Sequence, residues 1–483
     1  MTKQLKRVSI VVLLMFIALF TSSSIIQVFQ ADNLSANATN SRTLYDSFSA
    51  QRGSILVDGQ EIAKSVPYDD NFSYLRVYEE GRLYAPVTGY FTLNQGNTGV
   101  EGALNDYLSG TANEQFFDQI SSIVSGQDPK GASVELTIDA DVQKVAYDAL
   151  GDHAGAVVAY EPKTGRILAM VSKASYDPNK LAVHSGSEII KEYTRLNEAK
   201  SQPLVNRAIG GDLYHPGSVF KLVVATSALE NGYTADSAFP NPTTLTLPQS
   251  TTSIRNAGGG NCGGGSEATI ATALRLSCNI PFAQLGVALG HDAIDETATS
   301  FGFGQTIEVP MAATPSVYPP VESDAQQMLS SFGQYDDRVT PLQIAMVSGA
   351  IANGGVLMQP SLIDSIIAPD LSIIQGFEPT EFSTPMSQET AATMTQMMID
   401  GVANGAASNA RISGVDVAGK TGTAQNGVDD PYTLWFTGFA PAEDPQVAIA
   451  VVVEDGGGSG QDTFGNTVAA PIAKKVLEAV LDK

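Results

Sequence analysis

Ser218 and Lys221 stand three residues apart in His215-Pro216-Gly217-Ser218-Val219-Phe220-Lys221. Pro-Gly forces a turn, and the apolar run through Leu229 reads as a helix that Asn231-Gly232 ends. Residues three apart share a helical face, so the lysine amine can reach the serine hydroxyl. A serine is a weak nucleophile that an adjacent base activates, and the N–H groups at a helix start favour an oxyanion. The pair has the parts for acyl transfer. Taken alone, it fits equally well a capped helix start beside a solvated lysine.

Two later segments carry complementary chemistry. Ser277-Cys278-Asn279 falls between a helix ending near Leu276 and another starting near Pro281. Its hydroxyl can relay a proton and its amide can orient a substrate carbonyl, although the segment is otherwise an ordinary inter-helix turn. Lys420-Thr421-Gly422-Thr423 follows a strand-like stretch at residues 415–418. There a lysine and two hydroxyls can hold a carboxylate, and Gly422 would let a peptide approach the backbone closely. The N–H of Thr423 can complete an oxyanion hole with that of Ser218.

A competing motif overlaps the third segment. Residues 414–421 match G-x-x-x-x-G-K-[ST], a phosphate-binding loop. Such a loop needs a strand, a Gly-rich turn and then a helix. Here the intervening residues alternate like a strand, and Gly422-Thr423-Ala424-Gln425-Asn426-Gly427 continues extended or turning. An NTPase reading therefore fails on context.

The elements around these residues give an α+β organisation. Residues 154–160 and 166–171 form a hairpin around Glu161-Pro162-Lys163-Thr164-Gly165. Residues 218–403 are mostly helix and loop, including a helix from Thr340-Pro341 to Asn353-Gly354-Gly355. Strands return at 415–418, 434–439 and 447–453, and a closing helix spans 469–481. Strands at both ends with helices between imply one antiparallel sheet flanked by helices. Residues 51–150 read as a smaller unit of strands and turns, with a helix near 103–108, a strand at 134–138 and an amphipathic helix at 141–150. The expected division is a terminus at 1–7, an anchor at 8–29, an N-terminal domain with its tether at 30–150, and a catalytic domain at 151–483.

In this order the three motifs are the set shared by penicillin-binding proteins and class A β-lactamases. The chain resembles the penicillin-binding protein family over nearly its whole length, most closely the short, monofunctional, class B-like actinobacterial type. Further landmarks are Val134-Glu135-Leu136-Thr137-Ile138-Asp139, Tyr176-Asp177-Pro178-Asn179, Asn206-Arg207-Ala208, Thr340-Pro341-Leu342-Gln343 and Trp435-Phe436-Thr437-Gly438-Phe439. The resemblance implies the transpeptidase fold and a D,D-transpeptidase that cross-links peptidoglycan stem peptides ending in D-Ala-D-Ala and is acylated by β-lactams. It implies Ser218 as nucleophile, Lys221 as base, Ser277 as proton relay and Asn279 as a positioner of the donor peptide. Lys420, Thr421 and Thr423 would bind the terminal carboxylate. No cofactor or metal is implied. Proteins of the division or elongation machinery are the implied class of protein partner. The roughly 120 residues ahead of the catalytic domain are too few for a glycosyltransferase domain plus a linker domain.

Composition narrows the field. The 483 residues carry 27 basic and 51 acidic side chains, a formal net charge of −24, which repels phosphate backbones and excludes nucleic acid as an expected partner. The four histidines are scattered at positions 153, 184, 215 and 291, with no metal-ligand spacing. Lys3, Lys6 and Arg7 precede an apolar stretch long enough to span a bilayer. The flanking charges place the N-terminus in the cytoplasm and the remainder outside. The rival reading of that stretch is a cleaved signal peptide. Export and a count of two cysteines predict a disulfide between Cys262 and Cys278, pinning a glycine-rich loop beside the second motif. A β-lactamase shares the motifs but leaves the anchor and the N-terminal domain without purpose. A D,D-carboxypeptidase is chemically closer, and a non-enzymatic scaffold would not need every catalytic side chain.

Overall fold

The computed structural model describes residues 2–25, 48, 50–115 and 130–482. Helix α1 (Thr2–Ser24) comes first. Over Lys3–Ser24 it is long and apolar enough to cross a membrane, with a mean hydropathy of 2.0. Residues 26–29 of the expected anchor, and the tether through residue 47, lie outside the described residues.

Next come β1 (Ile55–Val57), β2 (Gln60–Pro67), β3 (Tyr74–Tyr78), α2 (Gly81–Thr88), α3 (Gly99–Ala103), α4 (Asn105–Ser109), β4 (Ser133–Leu136) and α5 (Ala140–Leu150). The hairpin β5 (Gly155–Tyr160) and β6 (Ile167–Lys173) leads to the helices around the site: α6 (Lys221–Glu230), α7 (Ile270–Leu276), α8 (Asn279–Leu289) and α9 (Pro341–Ala352). Strands β7 (Ile363–Ile367) and β8 (Ile373–Gly376) precede α10 (Gln388–Asn404). The chain ends with β9 (Ala418–Ala424), β10 (Thr433–Ala440), β11 (Val447–Val453) and α11 (Ala469–Leu481).

Five strands form the expected antiparallel sheet, in the order β9-β10-β11-β5-β6. Every residue of β5, β10 and β11 is buried, because helices cover both faces. Helices α5 and α11 pack on one side, and the almost wholly buried α9 crosses the other. The unbroken apolar run Val447–Val453 is what a strand covered on both faces requires.

Three expectations need correction. The sequence places helix α5 in the N-terminal domain. Its Val142, Ala146 and Leu150 instead share a core cluster with β5, β11 and α11. The N-terminal sheet is also composite, with the order β8-β7-β4-β1-β2-β3, so residues 363–376 from the far side of the active-site helices complete it. The division at 150/151 is therefore not a packing boundary. Finally, the strand read at 415–418 runs instead over Ala418–Ala424. Val415 pairs back with Ile412 around Gly414, whose φ is +78°, so the preceding residues form a tight turn.

Candidate active site

The fold brings the three motifs together. Ser218 lies in a 3₁₀ turn, Gly217–Phe220, that runs directly into α6. The turn is clamped from behind. Trp435 Nε1 donates to His215 O at 3.0 Å, and Gly217 N donates to Gly333 O at 3.0 Å. Gly217 has φ +52°, and a Cβ there would stand 3.1 Å from Thr423 O, so the turn rests on the edge strand β9.

Lys221 is fully buried. Its Nζ donates to Ser277 O and to Asn279 Oδ1, both at 2.8 Å. Burial pushes this ammonium well below the ordinary lysine range, and the nearby Lys420 cation pushes the same way. A neutral amine has two N–H groups and one lone pair. With both N–H groups directed at these acceptors, the lone pair remains for the serine proton. The structure thus joins Lys221 to the second motif, which i,i+3 spacing alone does not reveal.

Ser277 closes α7 in the left-handed conformation, at φ +62° and ψ +37°. A non-glycine residue held there costs on the order of 1 kcal/mol. The bend sends Ser277 O to Lys221 and Ser277 Oγ to Lys420, whose Nζ donates to it at 2.8 Å. The hydroxyl proton of Ser277 is left to pass on. Lys420 also donates to Thr421 O at 2.7 Å, and burial lowers its pKa to about 7.

The two threonine hydroxyls of the third motif have different partners. Thr421 Oγ1 donates to Ala406 O at 3.1 Å, so its proton is already engaged. Thr423 Oγ1 accepts from Gly465 N at 3.2 Å, which leaves its own proton to donate. Gly422 makes a close approach that the sequence does not reveal. A Cβ there would stand 3.0 Å from Pro216 O and Trp435 Cβ and 3.2 Å from Val219 Cγ1. The nucleophile turn itself packs against this glycine. Gly422→Ala is accordingly expected to push β9 off the turn by a few tenths of an ångström and to slow penicillin acylation about tenfold. Stopped-flow acylation rates check this, and an unaltered rate would mean the contact has slack.

Asn279 is held from three directions. Its Oδ1 accepts from Lys221, its Nδ2 donates to Arg255 O at 2.9 Å, and its N–H donates to Asn256 Oδ1 at 2.9 Å. Asn256 also accepts from Ile280 N at 3.0 Å, supplying the cap that α8 lacks from Cys278. Asn256 in turn donates to the buried Asn241, whose Nδ2 binds Cys262 O at 2.7 Å and Gly265 O at 3.1 Å. The Cys262–Cys278 disulfide is present, with Cα atoms 5.8 Å apart. The glycine-rich loop is thus tied to the second motif by a covalent bond and by two buried asparagines. The sequence carried no signal for those asparagines, since Asn241-Pro242 reads as any turn. A cavity of about 410 Å³, lined by Arg207, Tyr214, His215, Arg338, Asn426 and Glu454 among others, takes in His215 of the first segment but none of Ser218, Lys221, Ser277, Asn279, Lys420, Thr421 or Thr423. No group of three or more metal-ligating side chains occurs among the described residues.

The penicillin binding protein transpeptidase domain matches residues 155–478, and the penicillin binding protein A dimerisation domain matches residues 52–134. The chain belongs to the penicillin-binding protein family. Peptidoglycan D,D-transpeptidase PbpA of Mycolicibacterium smegmatis is 39% identical over 490 residues, covering 100% of this chain and 99% of that one. The protein of the same name from Mycobacterium tuberculosis is 38% identical with the same coverage. Among solved structures, penicillin-binding protein A from M. tuberculosis as a ceftriaxone acyl-enzyme complex superposes with a TM-score of 0.87. It covers 90% of this chain and 100% of that one at 38% identity. Its penicillin G acyl-enzyme complex gives 0.85 at the same identity and coverage. Penicillin-binding proteins are thus similar to this chain over both its N-terminal unit and its transpeptidase domain.

Proposed function

We infer that this chain is a serine D,D-transpeptidase that cross-links peptidoglycan stem peptides ending in D-Ala-D-Ala and is inhibited by covalent β-lactam acylation. The observation that carries the reading is the buried cluster in which Lys221 and Lys420 meet across Ser277 beside Ser218. Ser218 Oγ attacks the carbonyl of the penultimate D-Ala and gives its proton to Lys221 Nζ. The N–H groups of Ser218 and Thr423 hold the oxyanion. Collapse breaks the C–N bond, and the departing D-Ala amine takes up the proton that Lys221 received, relayed through the Ser277 hydroxyl, with Lys420 donating to its oxygen. The ester on Ser218 is then attacked by an amine from a neighbouring stem, forming the cross-link and restoring the serine. Lys420 and Thr423 bind the terminal carboxylate. Thr421 takes part only if its proton leaves Ala406 O. Asn279 positions the donor and shares Lys221.

Lys3, Lys6 and Arg7 at the start of α1 support an N-terminus in the cytoplasm and catalysis outside the membrane. Division or elongation proteins are the proposed partner class, with the N-terminal unit as their docking part. Incubation with a D-Ala-D-Ala stem peptide and an amine acceptor is expected to release D-alanine and form a new peptide bond detectable by mass spectrometry. Hydrolysed product alone would favour the D,D-carboxypeptidase reading.

A further inference from the structure

Strand β9 is the free edge of the five-stranded sheet. In a strand, the N–H and C=O of one residue face the same edge, and those of the next face the other. Gly217 packs against Thr423 O, so the Thr423 backbone faces the nucleophile turn. Gln425, two residues on, faces the same way. Its N–H donates to Gln334 Oε1 at 3.1 Å rather than to β10. Gln334 is placed by the loop that clamps the nucleophile turn. Its backbone N–H donates to Leu329 O at 3.0 Å, and the adjacent Gly333, at φ +77°, lies so close that a Cβ would stand 2.2 Å from Gly217 O.

We propose that Gln334 is a specificity-determining residue whose side-chain amide oxygen holds the position on the β9 edge where a main-chain carbonyl of the donor peptide pairs. This rests on the transpeptidase reading above. With the terminal carboxylate at the Lys420 end, the donor runs antiparallel to β9 and its upstream residues extend toward Gln425. Two residues of extended chain span about 6.8 Å on both strands. An acyl carbonyl at Thr423 N–H therefore brings the carbonyl two residues upstream to Gln425 N–H, the geometry of strand addition. Gln334 Oε1 already fills that place. A donor carbonyl that displaces it exchanges one neutral hydrogen bond for another, so the enzyme gains little by reading the peptide there. Without Gln334, the Gln425 N–H becomes a net binding contact.

The test compares two peptides that differ by the group bearing that carbonyl: Nα,Nε-diacetyl-L-Lys-D-Ala-D-Ala, and 6-acetamidohexanoyl-D-Ala-D-Ala, which lacks the whole α-acetamido group, a loss common to wild type and variants. The readout is the ratio of their kcat/KM values for D-alanine release. In both Gln334→Ala and Gln334→Asn, whose shorter side chain cannot reach Gln425, the ratio is expected to rise about three- to tenfold over the wild type, the size of one net hydrogen bond. Thermal unfolding verifies that each variant folds. An unmoved ratio, or a parallel loss for both peptides, would make Gln334 a brace for the turn and overturn the proposal. If wild-type enzyme forms a penicillin adduct but releases D-alanine from neither peptide, the reaction reading fails and takes the proposal with it.

Discussion

Ser218→Ala is expected to lose the covalent penicillin adduct entirely, with acylation slowed by about 10⁴ or more. The adduct is read by intact-protein mass spectrometry. The magnitude follows from the chemistry: with the only hydroxyl on the nucleophile turn removed, no neighbouring group can replace it. Lys221 Nζ faces Ser277 O and Asn279 Oδ1, and the Ser277 hydroxyl is engaged by Lys420. The fold should be nearly indifferent to the change. Ser218 is only half-buried, and the turn is held by Trp435, Gly333 and the contact with β9 rather than by the serine side chain. Unfolding stability should shift by about 0.5 kcal/mol or less. A full-strength adduct on another serine would sink the assignment.

The second large effect is expected at Lys221. Lys221→Met keeps a linear side chain of similar size in the buried site and removes the base. Penicillin acylation should fall by about 10²–10⁴. Stability should fall by about 1–3 kcal/mol, because Ser277 O and Asn279 Oδ1 each lose a donor in a buried setting. The pH profile separates this reading from one in which Lys221 only packs. The fold disfavours the cation at Lys221, so its proton leaves at a pH well below the ordinary 10.5. Lys420, lowered to about 7 by burial, must keep its proton to bind a carboxylate and to support Ser277. The working state therefore holds one positive charge over the two lysines, and the pair titrates as a unit. Wild-type acylation should trace a bell with both limbs below 10.5. The acidic limb marks loss of the second proton from the pair, and the alkaline limb marks loss of the last. Lys221→Met should lose the acidic limb. A wild-type rate that climbs only near 10.5 would describe an ordinary solvated lysine and exclude it as the base.

Local chemistry was legible in the sequence where it depends on near neighbours. Ser218 and Lys221 share a turn because they are three residues apart, which is a property of helix geometry. The spans 447–453 and 469–481 were read with the bounds the structure has, because an unbroken apolar run and an amphipathic period report directly on burial. The disulfide followed from a count of two cysteines and a reading of export. Strand β9 was misplaced because its residues, Ala418-Gly419-Lys420-Thr421-Gly422-Thr423-Ala424, are small and polar. It is nearly all buried for reasons of packing, not hydrophobicity.

What only the tertiary structure decided are the relations between distant segments. The acceptors of Lys221 lie 56 and 58 residues away, and the serine held by Lys420 lies 143 residues away. Nothing local encodes those pairings. The sequence shows that a face is apolar but not which partner it meets, so α5 was read with the N-terminal unit and the β7–β8 hairpin was not read at all. Gly422 illustrates the same limit at the scale of one residue. Its lack of a side chain was legible as a need for close approach. That the approaching group is Pro216 of the nucleophile turn depends on how the edge strand and the turn dock, and docking is set by the summed contacts of the whole core rather than by any one motif.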